Sequence, residues 1–363
     1  MSSYSIYFIC FVSLLHLSAQ ECCDWPTLPE FDPHPTEHPF SVGINQSLTQ
    51  MDSLQSGTHS VSQTSARQRY AMRPTEMTSQ RVEANASYTI TPQYQIGLSL
   101  PWVRNTMEMQ HFMADHTICG EMGTAMKLYQ RNGVKYNMDP IEGIGDLVID
   151  GSMRLIDEGT PEAGQHRLYL RAGLKTPTGD YKAKSHSSSN NGGETIPYWS
   201  DARHVMKLRT EYAEPCMQPG TGSWDPRMQL QYHFQEGAFG ASVIGDYELT
   251  TSNPQGYEYG DVASLGIFPS YRPFRMVQIT TGLRHRHIEK SDDYDGNYTD
   301  KASLSNDPAN TGGELTDTIL SLTFFPLDTL ILNIGVSFPL FSDLNGIQQS
   351  PGNLYTTGLS FRF

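Results

Sequence analysis

Residues 353–363 read NLYTTGLSFRF, and the alternation in this stretch decides the fold. Tyr355, Thr357, Leu359, Phe361 and Phe363 fall on one face, and Thr356, Gly358, Ser360 and Arg362 on the other. A period of two with one greasy and one wet face is the mark of a half-solvated β-strand. Residues 328–339, DTLILNIGVSFP, repeat it: Leu330, Leu332, Ile334, Val336 and Phe338 alternate with Thr329, Ile331, Asn333, Gly335 and Ser337. Upstream the same pattern recurs near 315–325, 277–284, 263–268, 239–249, 227–234, 167–175, 147–155, 94–100, 82–90 and 40–45. That predicts about twelve strands, a count good to about two because each segment is a weak signal.

The connections choose the architecture. Thr91-Pro92-Gln93, Gln235-Glu236-Gly237, Arg272-Pro273-Phe274 and Pro326-Leu327 are short, and 156–164 is modest. The intervening ones, 51–79, 105–143, 178–222, 250–260, 288–313 and 340–352, are long and polar. Short and long connections in strict alternation fit a transmembrane antiparallel up-and-down β-barrel with short periplasmic turns and long outer loops. A β-sandwich alternates apolar and polar residues too, but gives no reason for long loops at one end only. Aromatics such as Tyr88, Tyr94, Trp102, Tyr247, Tyr271, Phe324 and Tyr355 sit near strand ends, where interfacial girdles belong.

Composition agrees. The 363 residues are 37% hydrophobic and 18% charged, below the soluble-protein norm on both counts. A barrel needs no more, because lipid touches only every second strand residue. Lys and Arg total 25 against 39 Asp and Glu, a net charge of −14, which argues against a nucleic-acid partner. The acidic excess concentrates in the loop 288–317, with Asp292, Asp293, Asp295, Asp300, Asp307, Glu314 and Asp317 expected to face the outside.

The apolar run IYFICFVSLLHL at 6–17, followed by Ser18-Ala19-Gln20, suits a signal peptide over 1–20. A periplasmic N-terminal segment over 21–39 and a barrel over 40–363 follow from it. Of five cysteines, Cys10 would leave with the signal. Cys119 and Cys216 then fall in neighbouring outer loops, and this loop parity makes them a candidate disulfide.

If the apolar faces meet lipid, the polar faces line the lumen. That lining would hold Glu83, Asp146, Asp150, Arg154, Arg167, Arg171, Lys175, Arg227, Gln229, His233, Asp246, Glu248, Arg284, Arg286 and Arg362. Arg167, Arg171 and Lys175 opposite Asp146, Asp150 and Arg154 could form an ion-pair ladder, either bracing the wall or acting as a selectivity ring. Residues 105–126, NTMEMQHFMADHTICGEMGTAM, bring Met109, His111, Met113, His116 and Cys119 together, ligand types that suit a soft metal such as Cu(I). The same methionines equally suit a flexible apolar plug. No GxSxG, HExxH or phosphate-loop pattern occurs, so neither enzyme activity nor a cofactor is expected.

The ending Ser360-Phe361-Arg362-Phe363 resembles the terminal strand that outer-membrane assembly machinery recognises, with Phe361 and Phe363 as the assembly signal. Three stretches resemble the outer-membrane proteins named for the meta-pathway of phenol degradation. They are Gly143-Ile144-Gly145-Asp146-Leu147, the run from Gly173 to Tyr181 (GLKTPTGDY), and the run from Pro219 to Pro226 (PGTGSWDP). That resemblance covers roughly 80–363. It implies an outer-membrane channel of a Gram-negative bacterium, partnered by outer-membrane lipid and the barrel-assembly machinery, that passes small hydrophobic or aromatic solutes passively. The alternative is a structural or soft-metal-binding barrel that works through the 105–126 loop.

Overall fold

The computed structural model describes residues 38–66, 70, 72–111, 134–184, 187–188, 213–296 and 303–363. The signal-peptide segment and most of the N-terminal segment lie outside them, as do Met113, His116 and Cys119.

Twelve antiparallel strands close into a barrel. They are β1 Phe40–Met51, β2 Met72–Thr91, β3 Tyr94–His111, β4 Val148–Glu158, β5 Gln165–Lys175, β6 Asp225–Glu236, β7 Phe239–Glu248, β8 Val262–Phe274, β9 Val277–Ile288, β10 Gly313–Leu327, β11 Leu330–Gln349 and β12 Leu354–Arg362. Each pairs with the next in sequence. β12 closes the ring against β1, from Ser41 opposite Arg362 to Thr49 opposite Leu354. Phe363 completes the seam: Phe40 and Phe363 exchange backbone hydrogen bonds of 3.0 and 2.9 Å, and their rings lie 5.2 Å apart. Closure satisfies the edge groups that an open sheet would leave to lipid. No helix among the described residues is long and apolar enough to cross a membrane; the one α-helix, Gln63–Ala66, is four residues long.

The outer wall carries the apolar halves of the strands. Ile44, Ile96, Leu98, Ile149, Leu230, Leu265, Leu283, Leu320 and Ile334 stand exposed around it, each about half accessible. In water this surface would be a large penalty; in a bilayer it is the contact surface. Phe239, Phe274, Leu327 and Phe363 crowd the short-turn end.

The strands run further than the alternation suggested. Residues 72–79, 105–111 and 340–349 were expected to be loop and are strand. The cause is a change of phase in side-chain chemistry, clearest on β3. Tyr94, Ile96, Leu98 and Leu100 point outward and exposed, while Gln95 is buried on the inner face. Beyond Pro101 the outward positions become Arg104, Thr106 and Glu108, and the inward ones Val103, Met107 and Met109, all buried. Past the bilayer the outside is wet, so the wall turns polar outward and packs an apolar interior, as a soluble protein does. Glu314 and Asp317 likewise belong to β10 and not to an acidic loop: Glu314 stands on the outward face, and Asp317 is buried on the inner face against Arg284 and Arg286.

Two apolar clusters fill this outer half. One joins Met77, Met107, Met109, Ile141, Ala213 and Met217, with Met51, Met72, Met138 and Cys216 at its rim. The other joins Leu54, Ala66, Tyr70, Leu304 and Ile347, with Val61 beside it. A third, smaller cluster, Ile244, Phe268 and Ile319, packs on the inner wall of β7, β8 and β10.

Candidate functional site

The barrel lumen holds a partly open cavity of about 190 Å³. Its walls include Arg81 and Glu83 of β2, Asp150 of β4, Arg171 of β5, Arg227 of β6, and Asp246 and Glu248 of β7. Each charge is held by a neighbour. Arg81 meets Glu83 at 2.8 Å, and Arg171 lies 3.6 Å from Asp150. Asp246 accepts from Gln229 at 2.6 Å and from the Ser264 hydroxyl at 2.7 Å.

The densest set lies at the upper end. Lys175, nearly buried, reaches Asp225 at 2.9 Å and Glu248 at 2.7 Å, and Arg227 adds a 3.1 Å contact to Glu248. Arg284 and Arg286 converge on the buried Asp317 at 3.1 and 2.7 Å. Alternation places these residues: inward positions recur every second residue, and register sets them side by side, Gln229 opposite Asp246 and Arg284 opposite Asp317. Charges removed from water in this way persist only because they are paired.

The ion-pair ladder between β4 and β5 has one of its expected rungs, Arg171 with Asp150. Arg154 pairs with Asp157 of its own strand at 2.8 Å, and Arg167 joins the same carboxylate at 3.3 Å. A shift of register between Arg154 and Ile156 makes that possible. Lys175 turns to β6 and β7. His233 shares a 2.7 Å hydrogen bond with the Ser242 hydroxyl and stands edge-on to Tyr169. Arg362 lies opposite Ser41 at the seam.

Asp146 belongs to a different construction. Its carboxylate accepts from Gly179 N at 2.8 Å, Thr221 N at 2.6 Å and Thr221 Oγ1 at 2.8 Å. The three stretches 143–147, 173–181 and 219–226, far apart in sequence, therefore meet in one knot. The backbones touch there: a Cβ on Gly179 would lie 2.6 Å from the Gly145 carbonyl carbon, and one on Gly220 would lie 2.7 Å from the Gly179 Cα.

From this knot the chain 213–225 crosses the outer mouth. Asn105 of β3 donates to the Met217 carbonyl at 3.1 Å. On the far side, Tyr259 donates to the Pro215 carbonyl at 2.8 Å, Asn253 to the Thr221 carbonyl at 2.9 Å, and Ser303 to Glu214 at 3.2 Å. The segment spans from β3 to the loops after β7 and β9, half-way round the ring.

Of the soft-metal set, Met109 and His111 fall within the described residues, and Met113, His116 and Cys119 lie outside them. Met109 is buried in the methionine cluster and β3 ends at His111. Cys216 packs at the rim of that cluster, and Cys119, its expected partner, lies outside the described residues. No group of three His, Cys, Asp or Glu among the described residues is arranged to hold a metal ion. Sequence reasoning missed Arg81, Asp225 and the inward role of Asp317, and it missed the Met77–Met107–Met217 contacts. The signal for the last was the unbroken odd-number parity of 95–109.

In the outer loops, Tyr257–Glu258 pairs with Asp292–Asp293. Burial, then the charges of Asp292, Asp261 and Asp225, pushes the Glu258 carboxyl above its ordinary range.

No protein-family model and no curated protein sequence matches the chain. Among solved structures, it is similar to an outer-membrane channel from Pseudomonas putida F1, with a TM-score of 0.57 at 14% identity over 93% of this chain and 100% of that one. The fold is that of an outer-membrane β-barrel. Two lower-scoring likenesses are a Pseudomonas aeruginosa FadL homologue (TM-score 0.42, 11% identity, 90% and 76% covered) and a mutant of the TodX monoaromatic hydrocarbon channel (TM-score 0.44, 10% identity, 92% of each covered).

Proposed function

We propose that this chain is a channel of the Gram-negative outer membrane that passes small hydrophobic or aromatic molecules passively. The observation that carries the reading is a closed barrel whose apolar outer wall surrounds, at membrane level, a cavity of about 190 Å³. Its interior charges are paired within the wall, which leaves them to brace the lumen rather than to bind a fixed ion. The similar Pseudomonas putida protein is itself described as an outer-membrane channel, and the three stretches that resemble the phenol-degradation family meet in one knot at the barrel mouth. In this reading, export by the N-terminal segment and insertion through the terminal Phe361 and Phe363 bring the barrel to its membrane.

Expression in a Gram-negative host, whose lipopolysaccharide leaflet slows hydrophobic solutes, tests the proposal. Faster uptake of toluene by intact cells than by cells without the protein is expected, together with outer-membrane fractionation and heat-modifiable gel migration. Uptake equal to that of cells without the protein, with the barrel folded in the outer membrane, overturns it.

A further inference from the structure

The inner wall does not share the charge of the chain. Lys and Arg total 25 against 39 Asp and Glu in the whole sequence, a net charge of −14. Around the cavity the two signs match: Arg81 answers Glu83, Arg171 answers Asp150 and Arg227 answers Glu248. Toward the short turns the match ends. Arg154, Arg167, Arg272 and Arg362 stand there on the inner face. Arg154 continues the phase of Asp150 and Ser152, Arg167 that of Tyr169 and Arg171, and Arg272 that of Phe268 and Ser270. Arg362 is paired with Ser41, which lines the cavity, and directly opposed residues share a face. Among the described residues, Asp157 is the inner-face carboxylate at this end, and Arg154 and Arg167 share it at 2.8 and 3.3 Å. Glu158 and Glu236 fall on the outward phase, opposite His166 and Phe239. In the adjoining turns Arg275 and Asp328 offset each other.

These arginines are set around the ring. Arg167 and Arg272 lie two residues from the turn-side ends of β5 and β8, and Arg362 is the last residue of β12. The β4–β5 pair, β8 and β12 are spaced about a third of the twelve-strand circle apart. A guanidinium keeps its charge at every working pH. A narrow mouth in a low-dielectric wall focuses that charge, and its reach at physiological salt is about 8 Å. Rings of arginine in a pore favour anions. Arg272 adds an aromatic face. Its guanidinium is held by two donations to the Arg275 carbonyl, at 3.1 and 2.6 Å, and lies 4.5 Å from the centre of the Phe325 ring. A solute that carries both a ring and a carboxylate finds a partner for each there.

We infer that Arg154, Arg167, Arg272 and Arg362 are the specificity-determining residues of the lumen, and that they make it prefer small organic anions, aromatic carboxylates above all, over cations. This rests on the channel reading above and adds the charge class of the solute. The preference runs against the net charge of the chain, which by itself would favour cations.

The test uses the full barrel in planar lipid bilayers, with potassium chloride more concentrated on one side. The reversal potential should take the sign of an anion-preferring pore, and a gradient of sodium benzoate should give the same sign. R272Q/R362Q should lower the anion-to-cation permeability ratio roughly threefold, in protein whose heat-modifiable migration shows that it is folded. R272K/R362K, which keeps the charges, should hold the ratio, and K135Q, at an exposed lysine, should leave it unchanged. A pore that conducts but prefers cations, or whose ratio R272Q/R362Q leaves unmoved, overturns the inference and leaves the channel intact. Folded protein that carries no current overturns it too, and toluene uptake by intact cells then decides separately whether the channel reading stands.

Discussion

Asp146 shows how much one side chain can organise. Its two carboxylate oxygens satisfy two backbone N–H groups and a hydroxyl from two distant segments, and charged acceptors make the stronger hydrogen bonds. Asp146→Ala leaves those donors buried without a partner and should cost on the order of 2–3 kcal/mol, read as a lower urea midpoint for the refolded barrel. Gly179→Val should do worse, because the added atoms meet the Gly145 backbone and not a yielding side chain. A Gly179→Val barrel as stable as the parent would refute the close approach. Lys175 makes a second case. Both of its partners are themselves buried, Asp225 fully. Lys175→Met leaves the buried Asp225 with no cation and Glu248 with Arg227 alone, and should lower stability by about 3 kcal/mol, whereas replacing an exposed charge such as Lys135 should change little.

Strands and loops answer to different solvents along their length. β3 is apolar outside and polar inside through the bilayer, then polar outside and apolar inside beyond it. The alternation over 94–100 was therefore readable, while 105–111 read as loop, since its parity was unbroken but its polarity was inverted. The pairing of Tyr257–Glu258 with Asp292–Asp293 carries a pH dependence of its own. The Glu258 carboxyl is raised above its unfolded value, so the folded loop holds that proton more tightly than the unfolded one. Stability of this pairing rises as pH falls from neutrality toward the ordinary carboxylate range, and is lost as pH climbs through the raised value. Amide hydrogen exchange at Tyr257 and Asp293, corrected for intrinsic rate, should slow on acidification from pH 7 to 5 and should lose that trend in Glu258→Gln.

At the scale of the whole molecule, closure decides the outcome. The seam between β1 and β12 joins residues more than 300 positions apart, and Phe363 holds its periplasmic end by backbone bonds to Phe40 and by ring contact. Phe363→Ala should slow membrane insertion and refolding more than it lowers final stability, seen as delayed appearance of the heat-modifiable band. An equal rate would assign Phe363 no part in closure.

The sequence by itself determined the barrel, its strand order and the faces of its strands, because a period of two with one lipid-compatible side is a local property that survives without partners. It also showed the three glycine-rich stretches, but not that they touch. Only the tertiary structure decided that Asp146 ties them together, that Lys175 reaches Asp225 and Glu248 of β6 and β7, and that Met107 and Met109 belong to the wall and pack inward. Each of these depends on strand register and on where the bilayer ends. Both are set by the closed ring as a whole and leave no mark in any single segment.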